Sequence, residues 1–229
     1  MKVTWLTQAG LLFESDKISI LVDPYLSNSL AERGAKFERK IPVAKEYFDV
    51  KPDVILITHS HADHLDPETL GVFLSPDREP VTVLAPGASW EIINNMPGEH
   101  NAVLLNPHSV WSENGVTFYS VAAAHSDKTA CGFIIDDGDK TYYISGDTLY
   151  NFDVIDDVLD LAPSGVDYAF LPINGKGNNM HARDAADFAY EIGAHSAIPL
   201  HYGLFDEIDP SDFDFEDALI LEPYKKTEL

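Results

Sequence analysis

The chain has 229 residues, of which 45% are hydrophobic and 23% are charged, and this composition is ordinary for a globular protein. Acidic residues outnumber basic ones by 38 to 15, so the formal net charge at pH 7 is −23. This charge argues against nucleic acids and anionic membranes as partners, because proteins bind both mainly through Lys and Arg.

The single cysteine, Cys131, excludes an intramolecular disulfide and any metal site built from several thiolates. We expect it to be a small buried side chain. No apolar run approaches the roughly 18 residues that a membrane-spanning helix needs, and the first residues lack the pattern of a signal peptide. We therefore expect a cytoplasmic protein, and the length favours a single domain over residues 1–229.

Short β-rich runs alternate with helical ones up to about residue 200. In chain order, we predict strands at Val3–Leu6, Leu11–Glu14, Ile18–Val22, Val54–Thr58, Val81–Ala85, Val116–Ala123, Gly132–Asp136, Thr141–Ser145, Asp167–Pro172 and Ser196–Leu200. The predicted helices are Pro67–Leu74 with Asp66 as its N-cap, Ala88–Asn95, Phe152–Leu161 and Ala182–Ile192. Mixed hairpins and strand–helix units favour sheets covered by helices over an all-β sandwich.

Two charged segments fall outside this alternation. Residues 27–51 hold six of the 15 basic residues, and we predict a long loop or a short helix there. This segment is either a solvated surface or an anchor for an anion, and whether it forms a lid is left open. Residues 206–217 are strongly acidic and are predicted to form a solvated surface segment in the C-terminal region.

A cluster of three histidines and one aspartate lies directly after the predicted strand that ends at Thr58; its members are His59, His61, Asp63 and His64. Imidazole and carboxylate suit divalent Zn, Fe and Mn. Four residues cannot complete the shells of two metal ions. We therefore expect further ligands at the ends of other strands, where ligands collect in open α/β sheets. Three candidates follow predicted strands, namely His125, Asp147 and His201.

The ordered set His59-x-His61-x-Asp63-His64, His125, Gly146-Asp147 and His201 resembles the metal motif of the metallo-β-lactamase superfamily, over roughly Trp5 to Tyr202. The resemblance implies an α/β fold: a four-layer αββα sandwich, in which two mixed β-sheets pack face to face with helices outside. It also implies two divalent metal ions, Zn or Mn, with Fe as a further option. The implied ligands are His59, His61 and His125 for one ion and Asp63, His64 and His201 for the other, with Asp147 as a bridge.

Asp23, in the sequence LVDPY, matches an early aspartate of the superfamily that orients a metal ligand. Within the superfamily, the segments WLTQAGLLFES, THSHADHLDPETL and SGDTLY are most similar to the L-ascorbate-6-phosphate lactonases. The chain departs from that group in two ways, since it is considerably shorter and has Thr7 where glycine is usual. The resemblance to this group holds despite these differences, but it does not identify the substrate of this chain.

The resemblance implies a metal-dependent hydrolase in which a metal-bridging hydroxide attacks a small anionic ester or lactone, such as a sugar-phosphate lactone. Asp63 and Asp147 are the candidates to position this hydroxide and relay its proton. For the anionic substrate, we predict contacts from the loop of residues 174–179 and from the basic segment; the candidates are Lys176, Asn178, Asn179 and Arg39.

Two alternatives stay open at this point: a phosphodiesterase of the same fold, and a metal-binding protein without catalytic activity. No G-x-S-x-G elbow, Walker loop or helical H-E-x-x-H is present to support another catalytic scheme. The expected partner is therefore a small anionic molecule, and self-association of the chain is left open.

Overall fold

The structure is a computed structural model that describes residues 1–229, and its chain divides into two compact units. The first unit comprises Met1–Leu104, Gly203–Glu207 and Leu221–Leu229, and the second comprises Leu105–Tyr202 and Ile208–Ile220. Each unit contains one mixed β-sheet and two α-helices. None of the helices has the length and hydropathy required to cross a bilayer. The expectation of a single domain over residues 1–229 stays a prediction.

The first unit is built on a seven-stranded sheet. Its strands are β1 (Lys2–Trp5), β2 (Leu11–Glu14), β3 (Ser19–Val22), β4 (Val54–Leu56), β5 (Val81–Ala85), β6 (His100–Leu104) and, from the end of the chain, β13 (Lys226–Glu228). Their spatial order is β13-β1-β2-β3-β4-β5-β6. Strands β3 to β6 pair in parallel, whereas the remaining pairs are antiparallel. Strand β4 is completely buried, which explains its uninterrupted apolar sequence.

Two helices of the first unit, α1 (Pro67–Phe73) and α2 (Gly87–Ile93), connect its parallel strands. Helix α1 begins where the sequence predicts, because the Asp66 side chain accepts hydrogen bonds from the backbone of Glu68 and Thr69 and proline occupies the first turn. Its buried residues Leu70 and Phe73 pack in a cluster with apolar side chains of the sheet. This packing holds the segment that leads from β4 into α1.

The second unit is built on a six-stranded sheet. Its strands are β7 (Val110–Glu113), β8 (Val116–Ala122), β9 (Cys131–Asp136), β10 (Thr141–Ile144), β11 (Tyr168–Pro172) and β12 (Ser196–Leu200). They lie in the order β12-β11-β10-β9-β8-β7. Strands β10 to β12 are parallel, and the other pairs are antiparallel. As in the first unit, the parallel strands therefore require helical crossovers.

Helices α3 (Phe152–Leu161) and α4 (Ala182–Glu191) supply these crossovers. The Asn151 side chain caps α3 by accepting from the backbone of Asp153 and Val154. His181 caps α4 and accepts from the backbone N–H of Asp184 at 3.3 Å. On the buried face of α4, Phe188 stacks on Tyr143 of the sheet with ring centres 6.2 Å apart. This contact ties α4 to β10.

The predicted strands and helices are all present, with bounds that differ by at most two residues. The sequence patterns missed three strands, β6, β7 and β13. Residues 27–51 form neither one long loop nor one helix, because they contain three short 3₁₀ helices at Ser29–Arg33, Ala35–Phe37 and Lys45–Asp49. The acidic segment contains a single 3₁₀ turn at Pro210–Asp212.

Candidate metal centre

In the first unit, one turn between β4 and α1 carries four candidate ligands: His59, His61, Asp63 and His64. The backbone N–H groups of His64 and Leu65 both donate to the carbonyl of His61, at 3.0 and 2.7 Å, which closes the turn. His59 Nε2 lies 3.0 Å from His61 Nδ1, and the ring centres of His59 and His64 are 4.0 Å apart. The turn therefore brings three imidazoles together.

The carboxylate of Asp23 contacts this turn from the end of β3. It is completely buried, and its Oδ2 lies 2.8 Å from His64 Nδ1. Asp23 also accepts from the backbone N–H of Thr58 at 2.8 Å and from its hydroxyl at 2.5 Å. A carboxylate at Nδ1 stabilises the tautomer with the proton on that nitrogen, which leaves the Nε2 lone pair for a metal. This is the geometry that an aspartate orienting a ligand requires.

In the second unit, Asp147 lies between two of the candidate histidines. Its Oδ2 is 3.9 Å from His125 Nε2, and its Oδ1 is 3.4 Å from His201 Nε2. All three residues are at most 7% exposed. Each follows a strand of the same sheet: His125 follows β8, Asp147 follows β10 and His201 follows β12. One carboxylate that contacts two buried imidazoles is an arrangement suited to binding cations.

The loop of residues 173–181 contacts both of these histidines, a role that the sequence pattern did not suggest. The carbonyl of Asn178 lies 3.2 Å from His125 Nδ1, and Nδ2 of Asn174 lies 2.9 Å from His201 Nδ1. Asn174 was not among the predicted site residues. The Asn-Gly-Lys-Gly-Asn-Asn sequence indicates an anion-binding loop, and nothing in it indicates contacts with histidine.

The substrate contacts predicted in this loop differ in exposure. Lys176 and Asn178 are exposed, whereas Asn179 is only 5% exposed, and neither its amide nitrogen nor its oxygen has a hydrogen-bond partner. Gly175 and Gly177 both have positive φ values, 61° and 64°, which glycine adopts readily. Substrate binding by Lys176, Asn178 and Asn179 stays a prediction.

The guanidinium of Arg39, the fourth predicted substrate contact, donates to several groups of the first unit. Its acceptors are the carbonyls of Tyr25 and Ile41, at 2.7 and 3.2 Å, the hydroxyl of Thr7 at 2.9 Å and that of Tyr224 at 3.0 Å. Burial lowers the pKa of this guanidinium from its ordinary value. Arg39 therefore links separate parts of the first unit, and a role in substrate binding stays a prediction.

The basic segment also contacts the acidic one. Lys40 Nζ forms an ion pair with the Glu207 carboxylate and donates to the carbonyl of Asp206 at 2.9 Å. Both partners are solvent-exposed in part, so this pair contributes little to stability by itself. It nevertheless shows that the two charged segments meet within the first unit.

Comparison with known proteins identifies the family. A family model described as the beta-lactamase superfamily domain matches residues 19–202. A UPF0173 metal-dependent hydrolase of Thermoplasma acidophilum is 30% identical, over 93% of this chain and 89% of its own length. The chain belongs to the UPF0173 metal-dependent hydrolases of the metallo-β-lactamase superfamily. A second UPF0173 protein, from Methanopyrus kandleri, is 28% identical and is matched over 97% of both chains.

The UPF0173 chain also has the fold of this superfamily. Igni18, a metallo hydrolase from the archaeon Ignicoccus hospitalis, superposes with a TM-score of 0.78 over 99% of this chain and 97% of its own, at 21% identity. The predicted α/β class and metallo-β-lactamase fold are thereby confirmed. The names of these relatives specify no substrate. The protein is thus a metal-dependent hydrolase by family, with His and Asp groups able to bind metal: His59, His61, Asp63, His64, His125, Asp147 and His201.

Proposed function

We propose that this UPF0173 protein hydrolyses a small anionic ester or lactone, with a pair of divalent metal ions held jointly by the two groups of ligands. In this proposal one ion takes His59, His61 and His125, and the other takes Asp63, His64 and His201. Asp147 would supply a carboxylate to both ions. The proposed substrate is a sugar-phosphate lactone of the L-ascorbate 6-phosphate type.

The chemistry of the donor set fits such metal ions. Every candidate donor is an imidazole nitrogen or a carboxylate oxygen, and this combination suits Zn, Mn and Fe. The only thiol, Cys131, is completely buried, and burial raises its pKa to about 12. Cys131 is therefore protonated at neutral pH and supplies no thiolate ligand. We propose Zn or Mn as the physiological metal.

The observation that carries the proposal is the way in which the histidine Nδ1 atoms are held. Asp23 contacts Nδ1 of His64 at 2.8 Å, and the Asn178 carbonyl contacts Nδ1 of His125 at 3.2 Å. Both partners are hydrogen-bond acceptors, so both stabilise the tautomer that presents the lone pair of Nε2. Acceptors placed at Nδ1 of a buried histidine are a recurring feature of metal sites.

When bound, a pair of divalent ions makes water ionise near neutral pH and polarises the bond under attack. The chain itself supplies the groups that orient and deprotonate this water. The carboxylates of Asp63 and Asp147 accept its hydrogen bonds, direct its lone pair towards the carbonyl carbon and take up its proton. The same proton then passes to the oxygen of the leaving alcohol, which completes ester or lactone hydrolysis.

The loop of residues 173–181 supports an anionic substrate. Lys176 is exposed and lies two residues from Asn178, whose carbonyl contacts His125. It brings a cation into a loop that contacts His125, in a chain whose net charge is −23. Local charge of this kind governs binding of a small anion more than net charge does. We therefore propose that Lys176 binds the phosphate or carboxylate of the substrate.

The test combines elemental analysis of the purified protein with a panel of sugar-phosphate lactones, neutral lactones, esters and bis(p-nitrophenyl) phosphate. We expect two divalent metal ions per chain and the highest kcat/KM on an anionic lactone. If the protein cleaves the phosphodiester faster than any lactone, the proposed activity is wrong and the protein is a phosphodiesterase. Inertness of the metal-loaded protein towards the whole panel would favour a binding protein without catalytic activity.

Lys176→Ala separates substrate binding from chemistry. We expect KM for an anionic lactone to rise about tenfold, in line with the loss of one charge-assisted hydrogen bond, while kcat and the KM for a neutral lactone stay unchanged. Lys17→Ala is the matched control, because Lys17 is an exposed lysine in the turn between β2 and β3. An equal rise in KM for both substrates would assign Lys176 a role other than anion binding.

A further inference from the structure

Two consecutive residues after β1 adopt a backbone conformation that their side chains disfavour. Thr7 has a φ of 74° and Gln8 a φ of 50°, both in the left-handed region. Neither residue is glycine, and threonine is β-branched, so this conformation costs free energy at both positions. Such strain persists only where the surrounding structure imposes it, and it is concentrated at functional sites.

Hydrogen bonds on several sides impose this conformation. Leu6 N donates to the carbonyl of Gly10 at 2.8 Å, and Gly10 N donates to that of Thr7 at 2.9 Å. The buried indole of Trp5 donates to the carbonyl of Gln8 at 3.0 Å. Arg39 then donates to the Thr7 hydroxyl at 2.9 Å. The turn is thus fixed by its own backbone, by a tryptophan and by an arginine.

The result of this arrangement is the position of the Gln8 side chain. Gln8 is 3% exposed, and its amide Nε2 donates to Asp63 Oδ2 at 2.8 Å across 55 residues of sequence. A bond to one oxygen of a carboxylate restrains the position of that oxygen and leaves the other oxygen available to a second partner. Asp63 is partly exposed and lies on a turn, and the Gln8 amide reaches its Oδ2 from outside that turn.

We propose that Gln8 is a positioning residue for the metal ligand Asp63, and that the strained Thr7–Gln8 turn exists to hold it there. The inference rests on the proposed function, because it requires Asp63 to bind a metal ion. Arg39 helps to hold this turn through its hydrogen bond to the Thr7 hydroxyl. Gln8 itself contacts neither substrate nor the reacting atoms in this proposal, and it acts only through the Asp63 carboxylate.

The experiment is a double-mutant cycle read by metal affinity instead of activity. The metal-free full chain is titrated with Zn²⁺ against a chromophoric chelator, which resolves the dissociation constants of the two ions. We compare the wild type, Gln8→Leu, Asp63→Ala and the double variant. In the presence of Asp63, Gln8→Leu should weaken the binding of one ion by about 10- to 100-fold. This is the range found when a residue that hydrogen-bonds to a metal ligand is removed. In the Asp63→Ala background, Gln8→Leu should have no further effect.

Four results would overturn the inference. Gln8→Leu with wild-type affinity for both ions, or with the same loss in both backgrounds, refutes positioning through Asp63 while leaving the proposed function intact. A wild type that binds fewer than two ions, or an Asp63→Ala variant that binds both normally, refutes the proposed ligand set and with it the inference. These outcomes distinguish failure of the inference from failure of the function.

Two further variants serve as a negative control and as a substitute for Gln8→Leu. Ser89→Ala removes a buried hydroxyl of α2 that has no hydrogen-bond partner, and it should change neither dissociation constant. If Gln8→Leu does not fold, Gln8→Asn retains an amide at this position but is one methylene too short to reach Asp63. Gln8→Asn should weaken the binding of the same ion. Normal metal binding by a folded Gln8→Asn protein would contradict the proposal.

Discussion

Replacing Asp23 by Asn is the most incisive test of how the ligands are oriented. Asp23 is completely buried and accepts from three donors: the Thr58 N–H, the Thr58 hydroxyl and the ring nitrogen Nδ1 of His64. Asparagine has the same shape but only one acceptor oxygen, and its other terminal atom is an NH₂ donor. At least one of the three donors must therefore face an N–H group.

The size of the effect follows from which donor loses its acceptor. If the new NH₂ group faces Thr58 N, a buried donor is left unsatisfied and a charge-assisted bond is lost, which costs about 2–4 kcal/mol in the free energy of unfolding. If it faces His64, Nδ1 must act as the acceptor and the ring proton moves to Nε2. That tautomer cannot bind a metal, so affinity falls by about 10- to 100-fold. Either orientation impairs the protein.

Two measurements on Asp23→Asn follow from this argument. Urea unfolding of the metal-free protein gives the free energy of unfolding, and chelator competition gives the metal dissociation constants. We expect a loss in one or both, and Asp53→Asn serves as a control because Asp53 accepts from the backbone of Ser19 at an exposed position away from the ligands. A variant with wild-type stability and wild-type metal affinity would refute the claim that Asp23 orients His64.

Three further predictions concern other parts of the protein. The Asn174 amide lies 2.9 Å from His201 Nδ1, and its oxygen has no other partner. With that oxygen turned towards Nδ1 it would accept the ring proton and leave Nε2 for a metal, so Asn174→Leu should weaken the binding of one ion by about 10- to 100-fold in chelator competition. His61→Ala should lose metal and hydrolase activity together, and retention of both would exclude His61 as a ligand. Burial raises the Cys131 pKa from 9.0 to about 12, so iodoacetamide should modify this thiol at pH 9 only after unfolding in urea. The thiol's contribution to stability is complete below pH 9 and is lost as the pH rises towards 12, because the unfolded thiol ionises first. Burial also raises the pKa of Tyr202, so urea unfolding of Cys131→Ala should show a smaller decline than the wild type, most clearly near pH 9–10.

The strands that could be predicted from sequence are those with uninterrupted or alternating apolar residues. The three missed strands, β6, β7 and β13, all lie at the edges of the two sheets. Edge strands pair on one side only, so they carry more polar residues and have a weaker apolar pattern. β13, for example, consists of Lys-Thr-Glu, and its two end residues are exposed. Sequence reasoning therefore finds the centres of these sheets more readily than their edges.

The candidate ligands could be predicted because their types and spacing are chemically restrictive. Three histidines and an aspartate within six positions, followed by His125, Asp147 and His201 after separate strands, leave few other interpretations. The residues that contact the ligands carry no such signal. Gln8 and Asn174 are ordinary amides in sequence, and their significance depends on contacts with residues 55 and 27 positions away.

Backbone conformation explains why such contacts cannot be predicted from a sequence pattern. Eight non-glycine residues have positive φ values, and five of them are proposed ligands or the residues that hold them: Thr7, Gln8, Asp23, Asn178 and His201. A left-handed backbone costs roughly 1–2 kcal/mol for an ordinary residue and less for Asn or Asp, so local preference alone would not place Thr7 and Gln8 there. The conformation is imposed by contacts distant in sequence, such as the bond from Arg39 to Thr7. Strained residues next to the proposed ligands, as at Thr7 and Gln8, are the pattern expected when a fold holds side chains in a fixed geometry for binding.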